Sequence, residues 1–92
     1  MLTEEMKKSE RWEIELAILK AIKSHNGKYH QSTLAKALGY SFGTVAKYTL
    51  SFLDRKILAN EEDGRNQKLL VTEETDKEIR KLESHREGIT HD

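Results

Sequence analysis

Cysteine and proline are both absent from the 92 residues of the chain. Without cysteine the protein has no disulfide and no thiolate ligand for zinc, which is typical of a reducing compartment. Without proline, helices end only at glycine and at polar turn residues. The sequence also lacks an apolar run near the roughly 18 residues that a membrane span requires, and its charged N-terminus has no signal-peptide core. We therefore expect a soluble, cytoplasmic protein.

Motifs of catalysis and metal binding are lacking as well. The sequence has no glycine-rich phosphate loop, no nucleophile motif and no convergent pair of carboxylates outside exposed helical runs. Its histidines have no paired ligand spacing; they are His25, His30, His85 and His91. These absences predict that the protein is not an enzyme and binds neither a metal ion nor a cofactor.

Charged residues are abundant and unevenly distributed. They make up 35% of the chain, against 36% hydrophobic residues, and the formal net charge is zero. Residues 16–56 nevertheless contain seven basic residues and one acidic residue, Asp54, which gives this segment a local charge of +6. Such an asymmetry predicts a surface for nucleic acid within one domain. The alternative is that the lysines only decorate solvated helix faces.

The pattern of residues 31–57 is typical of a helix-turn-helix. The first helix is expected to end at Gly39, since glycine supplies the left-handed backbone of a tight turn. Ser41 is expected to cap a second helix over residues 41–56. We expect Phe42 to fill the gap between the two helices. The inner stripe of the second helix is predicted to comprise Val45, Ala46, Thr49, Leu50, Phe52 and Leu53.

The second helix of such a pair normally enters the major groove of DNA. Hydroxyls can donate to phosphates or base edges, Lys47 can bind a guanine edge or a phosphate, and Gly43 lets the backbone come close. For Tyr48 the alternative is a core ring with its hydroxyl at the rim. The predicted DNA contacts of this helix are Ser41, Gly43, Thr44, Lys47, Tyr48 and Ser51.

Further elements are predicted before and after these two helices. An N-terminal helix, with an extension over residues 1–10, is expected to run from Thr3 to Ser24 and to stop at Asn26-Gly27. A short edge strand is expected over Lys28-Tyr29-His30, with Tyr29 pointing inward. The order of elements therefore begins with helix, strand and helix.

The C-terminal part is predicted to contain a hairpin and a last helix. An Asp63-Gly64 turn predicts a β-hairpin over residues 58–71, with Arg65 and Lys68 near its tip as further DNA contacts. Because the neighbouring side chains are acidic, a structural hairpin with a solvated tip is the alternative. A capping box at Thr75-Asp-Lys-Glu78 predicts a helix over residues 75–87, followed by a frayed tail over residues 88–92.

The N-terminal helix has two apolar stripes, and the second of them suggests an assembly. The first stripe consists of Ile14, Ala17, Ile18, Ala21 and Ile22, and the second of Trp12, Leu16 and Leu19. Apolar patches that contain tryptophan are uncommon on the surface of a soluble monomer. The last helix can cover this stripe either within the chain or across a dimer. Since regulators of palindromic sites are two-fold symmetric, we expect a homodimer. Its predicted interface residues are Trp12, Leu16, Leu19, Ile79 and Leu82.

These motifs together resemble one group of proteins. The helix pair contains Leu34-Ala35-x-x-Leu38-Gly39-x-Ser41-x-x-Thr44-Val45, and Ile57-Leu58, Asp63-Gly64-Arg65 and Val71-Thr72-Glu73-Glu74 follow in order. The sequence thereby resembles winged helix-turn-helix transcription regulators, especially of the MarR and ArsR types, over residues 14–83. The resemblance implies one mainly α domain over residues 1–92 with a small β-hairpin, in the order α-β-α-α-β-β-α. Lys56 or Ile57 stands where these families usually have a glycine.

The resemblance also implies a function. Ser41, Thr44, Lys47 and Tyr48 match the positions of the recognition helix that touch DNA, and Arg65 matches the arginine of the wing tip. We therefore expect a sequence-specific regulator that binds double-stranded DNA. The chain is too short for the extra dimer helices between which the MarR type binds small ligands, so no small-molecule effector is expected. The alternative is a winged-helix module that binds proteins rather than DNA.

Overall fold

The computed structural model describes residues 10–63 and 66–91 of the chain, and it contains helices and a small sheet in the predicted order. The elements are α1 (Arg11–Ser24), β1 (Lys28–His30), α2 (Gln31–Leu38), α3 (Phe42–Asp54), β2 (Leu58–Asp63), β3 (Asn66–Val71) and α4 (Thr75–His91). The prediction of a mainly α fold with a small β-hairpin is therefore confirmed. Among the helices in these two ranges, none is long and apolar enough to cross a membrane.

The three strands form an antiparallel sheet in the order β1-β3-β2. In the hairpin, Leu58 lies opposite Val71 and Asp63 lies opposite Asn66. On the other edge of β3, Tyr29 pairs with Leu69. The predicted edge strand and both hairpin strands are therefore present, while the turn residues Gly64 and Arg65 lie outside the described residues.

A single hydrophobic core joins all the helices to the sheet. Full burial of an aliphatic or aromatic side chain contributes about 1.5 to 3 kcal/mol relative to exposure, so these contacts dominate stability. The side chains with no exposed surface come from α1, α2, α3 and β3; they are Ile18, Leu19, Ile22, Leu34, Val45, Phe52 and Leu69. The tyrosine of β1 packs against the same core, as predicted for its inward side chain.

Helix α4 lies on α1 within the same chain. Ile79 and Leu82 are buried, and so are Leu16 and Leu19 of α1. Two ion pairs flank this contact, Lys20 with Glu83 at 2.9 Å and Lys23 with Asp76. The second apolar stripe of α1 is therefore covered from within. Of the five predicted interface residues, four are buried within the chain, and Trp12 is half-buried.

Both terminal helices differ from the predicted bounds. Glu10 has an extended backbone, with φ −65° and ψ 153°, and α1 begins after it. The Glu10 amide donates to the Glu13 carboxylate at 2.8 Å, which satisfies a free donor at the helix start. The predicted helix from Thr3 to Ser24 is therefore not continuous, because it is interrupted at Glu10. Residues 1–9 lie outside the described part of the chain. Helix α4 continues through Gly88, because glycine weakens a helix by about 1 kcal/mol without removing a donor.

The cap of α4 lies three residues before the predicted one. The Thr75 hydroxyl accepts a bond from the amide of Thr72 at 2.8 Å, and the Thr72 hydroxyl accepts one from the amide of Glu74 at 3.1 Å. The reciprocal box is therefore Thr72 with Thr75, not Thr75 with Glu78. The Thr75 side chain also donates to the carbonyl oxygen of Ile57 at 2.7 Å, which ties the cap to the end of the helix-turn-helix.

The corner before the hairpin turns without a glycine. Lys56 has φ 64°, so it adopts the left-handed conformation that glycine adopts most readily. The Thr72 hydroxyl lies 3.1 Å from the carbonyl oxygen of Lys56 and 3.0 Å from that of Ile57. These contacts hold the corner in place and offset the strain of a left-handed lysine.

The tight turn of the helix-turn-helix is made by Gly39, as predicted. Its φ is 78°, and its amide donates to the carbonyl oxygens of Ala35 at 3.0 Å and Lys36 at 3.2 Å. The amide of Tyr40 donates to Ala35 as well, at 3.2 Å. No atom lies within 4 Å of the position that a Cβ on Gly39 would take, so only the backbone conformation demands glycine here.

We predict that Gly39→Ala lowers the free energy of unfolding by about 1 to 2 kcal/mol, the cost of a left-handed L-residue. Urea denaturation measures the change. Gly43→Ala is the matched control, since Gly43 has open space and no left-handed backbone. In the control, the free energy of unfolding should stay the same or rise by up to about 1 kcal/mol. Equal stability of Gly39→Ala and the wild type would contradict the assigned role of the turn.

Candidate nucleic-acid interface

Helix α3 presents a well-defined outer face. Val45, Thr49 and Phe52 are buried and direct the helix onto the core. At about 100° per residue, the positions opposite them are 43, 47, 50 and 54. All four are exposed, and we call Gly43, Lys47, Leu50 and Asp54 the outer line.

The hydroxyl residues lie along one side of the outer line. Thr44, Tyr48 and Ser51 recur at spacings of four and three and are half-buried. We call these three residues the hydroxyl flank. The structure therefore brings together, on one helix, the predicted contacts Gly43, Thr44, Lys47, Tyr48 and Ser51.

Ser41 is the N-cap of α3, as predicted. Its Oγ accepts a bond from the amide of Thr44 at 3.1 Å and donates to the Thr44 Oγ1 at 2.9 Å. The hydroxyl hydrogen of Ser41 is thereby used within the cap. Thr44 accepts this bond and keeps its own hydroxyl hydrogen for a ligand.

Tyr48 has a mixed environment. Its ring packs against the core, which favours the predicted alternative of a core aromatic. The Nζ of Lys47 lies 5.8 Å from the ring centroid, within the range of a cation–π contact. Tyr48 also lines a surface recess of about 140 Å³ together with Arg11, Lys47 and Ser51. The Tyr48 ring therefore packs against the core and also contacts the ammonium group of Lys47.

Arg55 joins the end of α3 to two other helices. Its guanidinium lies 3.6 Å from a carboxylate oxygen of Glu15 in α1 and 3.6 Å from one of Glu78 in α4. Both glutamates are buried, with 7% and 9% of their surface exposed. Arg55 Nε also donates to the Ser51 hydroxyl at 3.2 Å, and Arg11 lies 3.5 Å from Glu15. Buried carboxylates need such partners, because an unpaired buried charge is costly.

These ion pairs reduce the basic surface that the sequence suggests. Lys20, Lys23 and Arg55 belong to the +6 segment, yet each contacts carboxylates from elsewhere in the chain. Within residues 10–63 and 66–84, the exposed lysines of this segment that make no ion pair are Lys28, Lys36, Lys47 and Lys56. A charge count along the sequence could not reveal this pairing, since the partners are distant in sequence.

The hairpin contributes less than predicted. Lys68 lies in the middle of the sheet, opposite Glu61 on one side and His30 on the other, rather than near the tip. Its Nζ is 3.9 Å from the Glu61 carboxylate, and its side chain is only 26% exposed. Arg65 lies outside the described residues. The described part of the hairpin is therefore a weak candidate for DNA contact.

Two apolar residues of α3 are exposed, contrary to prediction. Leu50 has 65% of its surface exposed and Phe42 has 56%. Leu50 lies about 130° around the helix from the centre of the buried stripe, so it cannot reach the core. Phe42 begins the helix and does not fill the gap between α2 and α3. A helical projection centred on Val45, Thr49 and Phe52 would have revealed the position of Leu50.

A half-open cavity of about 360 Å³ lies beside β1, where the rings of His25 and Tyr29 stack at 4.1 Å. Its lining residues are His25, Asn26, Lys28, Tyr29, His30, Thr33 and Lys68. Among the residues that the structure describes, no three side chains are grouped to hold a metal ion. That the protein has no effector stays a prediction.

Solved structures with the same architecture are regulators of transcription and DNA-binding proteins. F93 from STIV, a winged-helix DNA-binding protein, is 26% identical, with a TM-score of 0.67 over 89% of this chain and 95% of that one. The chain has a winged-helix fold. The PcaV transcriptional regulator from Streptomyces coelicolor has a TM-score of 0.71 at 23% identity, and YusO from Bacillus subtilis has 0.70 at 20%. No family model and no curated protein matches the sequence.

The winged helix covers only part of the larger regulators. It aligns 85% of this chain with 55% of PcaV, and 84% with 56% of YusO. The chain thus spans little more than half the length of either protein. The resemblance stated from the sequence is confirmed at the level of the fold.

We predict that Arg55→Met lowers the free energy of unfolding by about 1 to 3 kcal/mol, because Glu78 loses its cation and Glu15 keeps only Arg11. Urea denaturation at neutral pH measures the loss. Lys20→Met is the matched control, since it breaks an ion pair whose side chains are 51% and 41% exposed. Such exposed pairs contribute at most about 1 kcal/mol. A loss no larger than that of the control would contradict the bridging role of Arg55.

Proposed function

We propose that this winged helix is a transcription regulator that binds specific sequences of double-stranded DNA through α3. The observation that carries the proposal is Lys47, which stands at the centre of the outer line and has no carboxylate partner among the described residues. A cation left unpaired on the second helix of a helix-turn-helix is suited to a phosphate or a guanine edge. The DNA-binding description of F93, which matches nearly the whole length of this chain, supports the same function.

The groups around Lys47 suit the major groove. Thr44 and Ser51 each accept one bond inside the protein and keep a hydroxyl hydrogen to donate. Gly43 has open space where a Cβ would stand, so the backbone of α3 can approach base edges closely. The groove is about 12 Å wide and admits one α-helix. We infer that residues 43–51 lie in it, with Ser41 fixing the helix start.

A protein-binding module is the second candidate. The zero net charge, the internal pairing of Lys20, Lys23 and Arg55, and the exposed carboxylates of Glu61 and Glu62 all favour it. The negative charges of Glu61 and Glu62 would repel phosphates if the hairpin approached DNA. The two candidates differ in one measurable respect, since only DNA binding releases counterions from a duplex.

We predict that duplex binding weakens steeply with salt and that Lys47→Ala reduces the slope of log K against log salt by about one unit. Titration of a labelled duplex at several salt concentrations measures the slope. Lys77→Ala is the control, because Lys77 is exposed on α4 and pairs with Glu74. If no duplex is bound at low salt, or if Lys47→Ala and the wild type have equal slopes, the proposal of DNA binding is rejected and the protein-binding candidate is favoured.

We also propose that the regulator acts as a homodimer. Among the predicted interface residues, Leu16, Leu19, Ile79 and Leu82 are buried and Trp12 is half-buried. It lines a groove of about 280 Å³ whose other residues are Glu13, Leu16, Ala17 and Lys20. On a palindromic site, a two-fold symmetric dimer places its two recognition helices about 34 Å apart.

We predict a dimer at micromolar concentration in sedimentation equilibrium. Trp12→Ala should shift the protein toward the monomer, because it removes the largest apolar group of the groove. Phe42→Ala, which truncates an exposed aromatic residue elsewhere, should leave the dimer intact. A monomeric wild type would refute the homodimer without affecting the proposal of DNA binding.

A further inference from the structure

The side of the outer line opposite the hydroxyl flank is apolar. Phe42, Ala46 and Leu50 follow one another at a spacing of four, so they form one strip along α3 that meets the outer line at Leu50. Two of these side chains are more than half exposed. We call these three residues the apolar strip. Lys47 therefore lies between a flank that can donate hydrogen bonds and a strip that cannot.

The strip is too small for a stable protein interface. Such interfaces bury about 800 Å² from each partner, which corresponds to roughly 20 or more residues. Three side chains in a single row fall far short of this size. A row of apolar groups beside a cation fits instead a surface that is mostly polar and carries isolated apolar groups.

The major groove of DNA is such a surface. Its base edges offer hydrogen-bond donors and acceptors, and the C5-methyl group of thymine is the apolar group that they present. We propose that Leu50 contacts a thymine methyl group and so makes an A·T pair part of the recognised sequence. This inference rests on the proposed function, since it requires α3 in the major groove.

The geometry of α3 supports Leu50 for this role. It lies on the outer line one turn after Lys47, so both side chains face the same surface. With Gly43 one turn before Lys47, no side chain there holds the helix away from the bases. Leu50 makes its contact without a hydrogen bond, so it adds a base preference that the hydroxyl flank cannot provide.

The test uses duplexes that differ by single methyl groups. The wild-type protein first selects its preferred duplexes from a random pool. Each thymine of the selected sequence is then replaced by deoxyuridine, which keeps every hydrogen bond and lacks only the methyl group. We expect one such replacement to weaken wild-type binding about fourfold, the value of burying one methyl group.

Leu50→Ala identifies the side chain that reads the methyl group. This variant should bind the thymine and deoxyuridine duplexes equally well, with a melting temperature close to that of the wild type, because Leu50 is exposed. Val71→Ala is the control, since Val71 is a partly exposed apolar residue of β3, outside α3. It should keep the fourfold difference.

Each alternative outcome has a defined meaning. If no replacement of thymine by deoxyuridine weakens wild-type binding, the inference is overturned and the proposal of DNA binding is unaffected. A thymine preference that persists in Leu50→Ala would also overturn it, whatever the oligomeric state of that variant. If the wild type enriches no duplex at all, the proposed function fails and the role of Leu50 falls with it.

Discussion

The position of α3 depends on Arg55 and the two buried carboxylates that it bridges. Glu15 belongs to α1 and Glu78 to α4, and both carboxylates are buried, so leaving either without its cation would be costly. The arginine stands at the C-cap of α3, so one guanidinium determines how three helices meet. Because its Nε also binds Ser51, the orientation of the last turn of α3 is coupled to the same charges.

The two sides of α3 have different environments because one side packs on the core. Val45, Thr49 and Phe52 fill the core, and this fixes the rotation of the helix about its axis. Everything on the outer line is then exposed as a consequence of the packing on the opposite side. The exposure of Leu50 is thus not an isolated feature but follows from the same rotation that exposes Lys47.

Local signals in the sequence predict most of the fold. Gly39 and Ser41 determine the turn and the start of α3 through backbone conformation and one cap, both of which depend on near neighbours. Contacts between distant residues were not predictable in the same way. The pairing of Arg55 with Glu15 and Glu78 spans 40 and 23 positions, and it turned a predicted surface cation into a structural one. The prediction that Leu50 lies on the inner stripe of α3 is wrong, because the buried stripe is narrower than the apolar pattern in the sequence.

The threonine contacts after β3 join the end of α3, the start of the hairpin and the start of α4. Thr72 and Thr75 bind the carbonyl groups of Lys56 and Ile57, where α3 leads into the hairpin, and the same two residues form the cap of α4. One small set of hydrogen bonds therefore holds the junction of three elements, so loss of either threonine hydroxyl would be felt at the end of α3, at the first strand of the hairpin and at the cap of α4.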